Sequence, residues 1–216
     1  MNFGLLTKRE AWCLTWRGWL LTMVLTLTMF LVGVRGCAPF LSPNRPVAAE
    51  VLIVEGWLPD YALKHVAEEF RLGKYRYIIT AGGPLPTGYY NTGPKTSAEL
   101  AASTLVALGI ASNLVVAVPA PPVLRERTLA HAQAVKRWIQ TNDPVLRSVN
   151  AYTLGAHARR SRLVFERVLG DRVKVGIIAQ PDGTYDLDHW WGSSEGFRTV
   201  TGEALAYLWC RLAGRA

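Results

Sequence analysis

The sequence predicts a doubly wound α/β domain preceded by one N-terminal transmembrane helix. Two observations carry this prediction: an uncharged apolar segment near the N-terminus and, from residue 50 onward, short β-branched runs that alternate with longer amphipathic runs. Nearly continuous apolar strands, each followed by a helix, indicate a mainly parallel sheet of about five strands covered on both faces. The 216 residues leave room for one domain of ordinary size and an appendage.

The uncharged segment over residues 18–34 is the predicted anchor. Its length is close to the minimum of about 17 residues that a spanning helix needs, and Arg17 and Arg35 bound it. More positive charge precedes the segment than directly follows it, which predicts a cytoplasmic N-terminus over residues 1–17. We therefore expect a single-pass protein of the inner membrane, with its C-terminal domain outside the cytoplasm.

Alternatives stay open for this segment. A cleaved secretory signal is the main one, because the apolar stretch is short and small residues follow it. A buried core helix and lipidation of Cys37 fit less well, the latter because an arginine stands two residues before the cysteine. Residues 35–49 are rich in proline and are predicted to form an extended linker.

The α/β domain is predicted over residues 50–216. Its β-branched runs predict strands at 51–54, 75–81, 114–118, 148–154 and 173–179. The intervening amphipathic runs predict helices at 58–72, 97–108, 124–140 and 156–169, and a closing helix at 192–212.

Charge and cysteine content narrow the classes of partner. The net charge of +8 suits a partner that carries phosphates. Because the basic residues are dispersed and no nucleic-acid-binding motif accompanies them, we expect no nucleic acid, and rather an anionic lipid or a small phosphorylated ligand. Three scattered cysteines without a CxxC pair predict neither a disulfide framework nor a zinc site.

Ligands of parallel α/β sheets bind outside the carboxyl ends of the strands. Glu55 and Gly56 follow the first predicted strand, and Gly82 and Gly83 end the second. We expect the glycine pair to act through backbone shape, and a positive φ at Gly83 would make a branched side chain costly there. An ordinary turn explains the same pair equally well, and no P-loop or GxGxxG pattern supports nucleotide binding.

Two helix starts carry further candidates. Thr96 or Ser97 can cap the next helix while Glu99 complements its dipole, which explains these residues without any function. His157 and Arg160 lie at the junction between the fourth predicted strand and the helix that follows it. They are three residues apart and lie beside free backbone amides. This pair could grip an anion and exchange a proton near neutral pH. The alternative makes Arg160 a solvated helix residue.

The loop over residues 185–191 is polar and aromatic. Its alternating aspartates lack the glycine and distal glutamate of a calcium loop, so we interpret it as a lid or a membrane-facing loop and predict no metal site.

The order of these features resembles the YdcF/SanA/ElyC family over roughly residues 51–212. The resemblance rests on the Val-Leu-Ile-Val strand with its glycine turn, on RLGK at 71–74, YIITAGG at 77–83 and TSAE at 96–99, on Arg127-Thr128, and on the Tyr-Thr, His and Arg of 152–160. The ordered set is fairly specific, although no single piece is.

This resemblance implies a Rossmann-like domain, often tethered to the inner membrane and linked to envelope integrity and to surface-polysaccharide or peptidoglycan metabolism. Since some relatives bind S-adenosylmethionine, that compound is a cofactor candidate. Carried over by position, the implied site consists of Gly56, Gly82, Gly83, Glu99, Thr128, His157 and Arg160.

The chain departs from the family pattern twice. The glycine-rich first turn is here Glu55-Gly56-Trp57, and the usual Glu-Asn pair of the third helix is Ala130-His131. Trp57 would crowd a bulky cofactor, and the lost polar pair weakens the inference of a shared reaction.

Two hypotheses on function follow. The leading one is a membrane-anchored domain that binds a small anionic ligand, for example a phosphorylated envelope precursor, with enzymatic activity left open. His157 and Glu99 are then the catalytic candidates, and the ligand-binding candidates are Glu55, Gly56, Gly82, Gly83, Ser97, Thr128 and Arg160. The alternative is a non-catalytic sensing or scaffold module that binds a ligand such as S-adenosylmethionine in the same cleft.

Overall fold

The computed structural model of the protein describes residues 13–87, 90 and 93–214. These residues form an α/β domain with a five-stranded, all-parallel sheet and a long apolar N-terminal helix, which confirms the predicted fold class. The strands are Val51–Glu55 (β1), Tyr77–Gly82 (β2), Val115–Pro119 (β3), Ser148–Leu154 (β4) and Lys174–Gln180 (β5). The helices are Trp16–Leu41 (α1), Asp60–Leu72 (α2), Ser97–Ala107 (α3), Arg127–Asn142 (α4), Ala158–Leu169 (α5) and Ser194–Leu212 (α6).

Both faces of the sheet are buried. In β1, Val51 and Ile53 pack into the core on the side of α4 and α5, whereas Leu52 and Val54 pack into the core on the side of α2 and α3. Because successive strand residues point to opposite faces, a strand covered on both sides needs apolar residues at odd-numbered and even-numbered positions alike. This is why the strand appears in the sequence as a continuous apolar run.

The strand order β3-β2-β1-β4-β5 creates a switch point between β1 and β4. From β1 the chain builds outward to β2 and β3, and it then crosses to the other side of β1 to form β4 and β5. Loops that leave the carboxyl ends of β1 and β4 therefore diverge, and the crevice between them is the usual ligand position in open α/β sheets.

Helix α1 is long and apolar enough to cross a membrane by its length and composition, a test that an N-terminal signal sequence also passes. It continues to Leu41, into the part of the chain predicted to be an extended linker. Lys8 and Arg9, on which the predicted orientation depends, lie outside the described residues.

Residues 37–49 belong to the compact unit that begins at Cys37, so the linker prediction is wrong for them. Ala38 and Leu41 are buried, and Arg45 forms an antiparallel bridge with Ile177. The Asn150 amide donates to the Val47 carbonyl oxygen (3.0 Å) and accepts from the Val47 amide (2.9 Å). These tertiary contacts hold a segment whose prolines alone favour extended chain.

Candidate functional site

Glu55 is the last residue of β1 and is completely buried. Its carboxylate accepts hydrogen bonds from the hydroxyls of Thr153 and Ser161, the latter at 3.0 Å. His157 Nε2 lies 3.4 Å from Glu55 Oε2. Burial alone would raise the pKa of Glu55, but the charge and hydrogen bond of His157 and the bond from Thr153 outweigh burial and lower it. Glu55 is thus an internal anion of the fold, enclosed by protein donors.

His157 ends the short 3₁₀ turn that follows β4 and lies between two carboxylates. Its Nδ1 is 2.9 Å from Glu203 Oε1, opposite the contact of Nε2 with Glu55. Burial would lower the pKa of His157, but attraction to Glu55 and the hydrogen bonds to both carboxylates raise it to about 9. The ring is therefore an imidazolium at neutral pH, whereas the sequence suggested a group that titrates there.

Arg160 forms a two-point ion pair with Glu203. Its Nε lies 2.8 Å from Oε2, and one terminal nitrogen lies 2.9 Å from Oε1. The other terminal nitrogen donates to the Thr128 hydroxyl at 3.1 Å, and this hydroxyl is 3.5 Å from His157 Nε2. Only 17% of the Arg160 side chain is exposed, so the solvated-helix interpretation is wrong. The predicted association of His157, Arg160 and Thr128 is present.

Sequence reasoning missed Glu203, which lies on α6. Its pKa is lowered, because the hydrogen bonds and charges of His157 and Arg160 outweigh the burial that would raise it. One feature could have identified it: Glu203 is the last acidic residue of the chain and stands among mostly apolar and small residues of the closing helix.

His131, on α4, is a second buried histidine near this cluster. Burial lowers the pKa of His131, and the positive charges of Arg127 and His157 lower it further, whereas the negative charge of Glu55 raises it. The net effect is a pKa below the ordinary value, so the ring is neutral at pH 7. Within the described residues its buried Nδ1 has no hydrogen-bond partner. A side chain at Gly83 would begin 3.8 Å from its Nε2. In the sequence this position stands out only as a departure from the pattern of the family that the chain resembles.

Two glycines are required by the close approach of α3. A Cβ at Gly82 would lie 2.1 Å from Ser97 Oγ, and one at Gly56 would lie 2.6 Å from the Ser97 carbonyl oxygen. Gly83 is different, since it is not among the positive-φ glycines and a Cβ there has room. The steric requirement therefore lies at Gly82, and the condition of a positive φ at Gly83 is not met.

Glu99 and Ser97 organise the start of α3. Thr96 and Glu99 form a capping box, in which the Glu99 carboxylate accepts from the Lys95 amide (2.7 Å) and the Thr96 amide (2.9 Å). These backbone bonds lower the pKa of Glu99. The Ser97 hydroxyl donates to the Gly83 carbonyl oxygen at 3.2 Å. Capping, the alternative stated above, thus accounts for the contacts of Glu99, and a role in catalysis stays a prediction.

The cluster of Glu55, His157, Arg160 and Glu203 combines two carboxylates with two cations at the β1/β4 switch point. At neutral pH the imidazolium of His157 can donate a proton or a hydrogen bond, but it cannot accept a proton. Among residues 13–87, 90 and 93–214, no group of three or more His, Cys, Asp or Glu side chains is arranged to hold a metal ion.

Comparison with protein-family models, with curated proteins and with solved structures found no match for this chain.

Proposed function

We propose that this protein is a membrane-tethered α/β domain that binds a small anionic ligand, such as a phosphorylated precursor of a cell-envelope polymer, at the carboxyl edge of its sheet. The observation that carries the proposal is the charged cluster of Glu55, His157, Arg160 and Glu203 at the β1/β4 switch point. Open α/β sheets bind ligands at this position.

A purely structural role explains the cluster poorly. Desolvating charged groups is costly, and well-packed apolar residues of similar volume often stabilise a fold equally well or better than a buried ion pair does. Perturbed titratable groups that gather in a crevice are candidates for a functional site.

Donors for an anion are present beside the cluster. A guanidinium has five N–H groups, and Arg160 directs three of them to Glu203 and Thr128. The nitrogen that donates to Glu203 Oε1 also lies 3.0 Å from His157 Nδ1, so one N–H group, on the nitrogen bonded to Thr128, faces no partner among the described residues. Thr128 lies in the first turn of α4, where exposed backbone amides and the helix dipole favour negative charge.

The envelope role and the orientation rest on the sequence. The resemblance to the YdcF/SanA/ElyC family supports a role in surface-polysaccharide or peptidoglycan metabolism, and α1 supports an inner-membrane tether with the domain outside the cytoplasm. A reporter that is active only in the periplasm, fused after Ala216, should be active. A silent reporter, or release of the protein by a salt wash, would contradict the tether.

A non-catalytic sensing module is the second candidate, and one observation favours it. Both ring nitrogens of His157 contact carboxylates, so the ring cannot act as a general base while these contacts persist. Turnover of a sugar phosphate or polyprenyl phosphate by the purified protein would favour the enzyme. Saturable binding without turnover would favour the sensor.

The binding experiment compares Arg160→Ala with Arg162→Ala, a matched control two residues beyond Arg160 on the same helix. Arg162 is a partly exposed arginine that pairs with Glu166. The full chain in nanodiscs is titrated with inorganic phosphate, a sugar phosphate, a polyprenyl phosphate and S-adenosylmethionine. Loss of a charged hydrogen bond of about 1.5 to 3 kcal/mol should weaken binding about 10- to 150-fold in Arg160→Ala and leave Arg162→Ala unchanged.

Thr128→Val protects this test against misfolding, because it removes one hydroxyl contact of Arg160 while keeping nearly the same volume. It should weaken binding of the same compound by a smaller factor. Equal affinities in all three variants would contradict the proposed site, as would the absence of binding by any of the four compounds.

A further inference from the structure

Helix α6 presents an apolar stripe to the outside of the domain. Its members are exposed by 51% to 83% and recur at helical spacing, and they are Phe197, Leu205, Leu208, Trp209 and Leu212. Residues at spacings of three, four and seven lie on one side of a helix. The opposite side of α6 carries Val200 and Glu203, which face the domain. Exposed apolar side chains that gather on one side of a helix are typical of a binding surface.

An arginine-rich groove adjoins the C-terminal half of the same helix. Arg45, Arg159, Arg162 and Arg211 line it. The acidic residue in its lining is Glu166, which pairs with Arg162 at 2.8 Å. This lining has an excess of positive charge that suits phosphate groups.

Contacts of Phe40 connect the arginine groove to the end of α1. The Phe40 ring packs edge-on against Tyr207 of α6, with 5.7 Å between ring centroids. The Arg159 guanidinium lies over the same ring, 3.8 Å from its centroid. Phe40 follows the apolar segment of α1 closely in the chain. The groove therefore lies next to the point at which the chain enters the domain, and the stripe occupies another side of the helix that lines it.

We propose that the α6 stripe and the arginine groove form a docking surface for the anionic phospholipid bilayer that α1 enters. Apolar and aromatic side chains beside arginines are the composition of an interfacial helix, which buries its apolar side at the headgroup boundary. A second copy of the chain is a poorer occupant, because its own arginine groove would approach another cluster of the same sign. The inference rests on the membrane tether of the proposed function.

Thiol labelling of the full chain in nanodiscs that hold one copy each tests the proposal. Leu208→Cys places a thiol in the stripe, and Lys64→Cys is the control on α2, which packs on the opposite face of the sheet. A water-soluble maleimide is applied, and mass spectrometry of peptides reads each position separately from the natural cysteines. Incorporation of the chain into the discs reports on the tether independently of docking.

Labelling at position 208 should be slower in discs of phosphatidylglycerol mixed with phosphatidylcholine than in discs of phosphatidylcholine alone, while position 64 should be unaffected. Each arginine that faces anionic lipid should slow labelling at position 208 about five-fold, which is equivalent to about 1 kcal/mol of docking free energy. Arg45→Gln with Arg211→Gln should thus restore labelling by up to about 25-fold, as should high salt.

Three results would overturn the docking surface. The first is equal labelling rates at positions 208 and 64 in both lipids. The second is protection of position 208 that does not change when the two arginines are replaced or when salt is added. The third is protection that requires two copies in one disc. The last result would assign the stripe to a second copy. Failure of the chain to enter discs would instead contradict the tether, and with it the basis of the docking.

Discussion

Replacing Glu203 by Gln should destabilise the domain strongly, because it leaves two buried cations side by side. The native carboxylate accepts from Arg160 at 2.8 and 2.9 Å and from His157 at 2.9 Å. A glutamine retains one acceptor and directs its amide hydrogens at the remaining donors. Removing one partner of a buried ion pair costs about 3 to 5 kcal/mol. The partners here are 17% exposed, so we expect about 3 kcal/mol.

Urea unfolding of the full chain in detergent measures this loss, and thermal unfolding should show a decrease of about 6 to 12 °C for a chain of this size. Glu195→Gln is the matched control, since Glu195 lies on the same helix and pairs with the exposed Arg198. It should stay within about 0.5 kcal/mol of the native protein. If both variants lose the same small amount, the Glu203 cluster does not stabilise the fold and the reasoning fails.

Three further predictions follow from the structure. The pKa of His157 is raised from 6.5 to about 9, so its stabilising contribution should be complete below about pH 6.5 and lost as the pH rises through about 9; unfolding curves of His157→Gln should lack this alkaline decline, and an unchanged decline would assign it to another group. Gly82→Ala should cost about 2 kcal/mol or more, because its Cβ would lie 2.1 Å from a serine hydroxyl, whereas Gly83→Ala should change the free energy of unfolding by less than about 1 kcal/mol; equal costs in urea unfolding would argue against the close approach of α3. Asn150→Leu removes both hydrogen bonds to the Val47 backbone and should cost about 2 kcal/mol, with faster hydrogen exchange in the peptide that contains Val47; native protection in this variant would mean that other contacts hold the segment.

Part of the site could be predicted because its residues adjoin strand ends. Glu55 ends β1, and His157 and Arg160 begin the helix after β4. The rule that ligands gather at the carboxyl edge needs only the strand positions. What could not be predicted is that Glu55 faces inward and engages His157, because a strand residue's direction and partners depend on how its neighbours pack.

Glu203 was missed because its partners are remote in the chain, 43 residues away at Arg160 and 46 at His157. His131 was noted only as a departure from a family pattern, since neither its burial nor its position beside Gly83 follows from local sequence. A titration near neutral pH was expected for His157 because its ordinary pKa lies there. The two carboxylates that raise this pKa are a tertiary feature.

Local sequence patterns were enough to predict the parallel α/β class, the approximate position of each strand and helix, and the apolar length of α1. These properties follow from the periodicity of burial and from helix capping, which act over a few neighbouring residues. The packing of residues 37–49 onto the domain, and the pairing of Glu203 with His157 and Arg160, arise only from tertiary contacts. Coulombic energies, burial and steric contact depend on distance in space, which the separation of residues along the chain does not reveal.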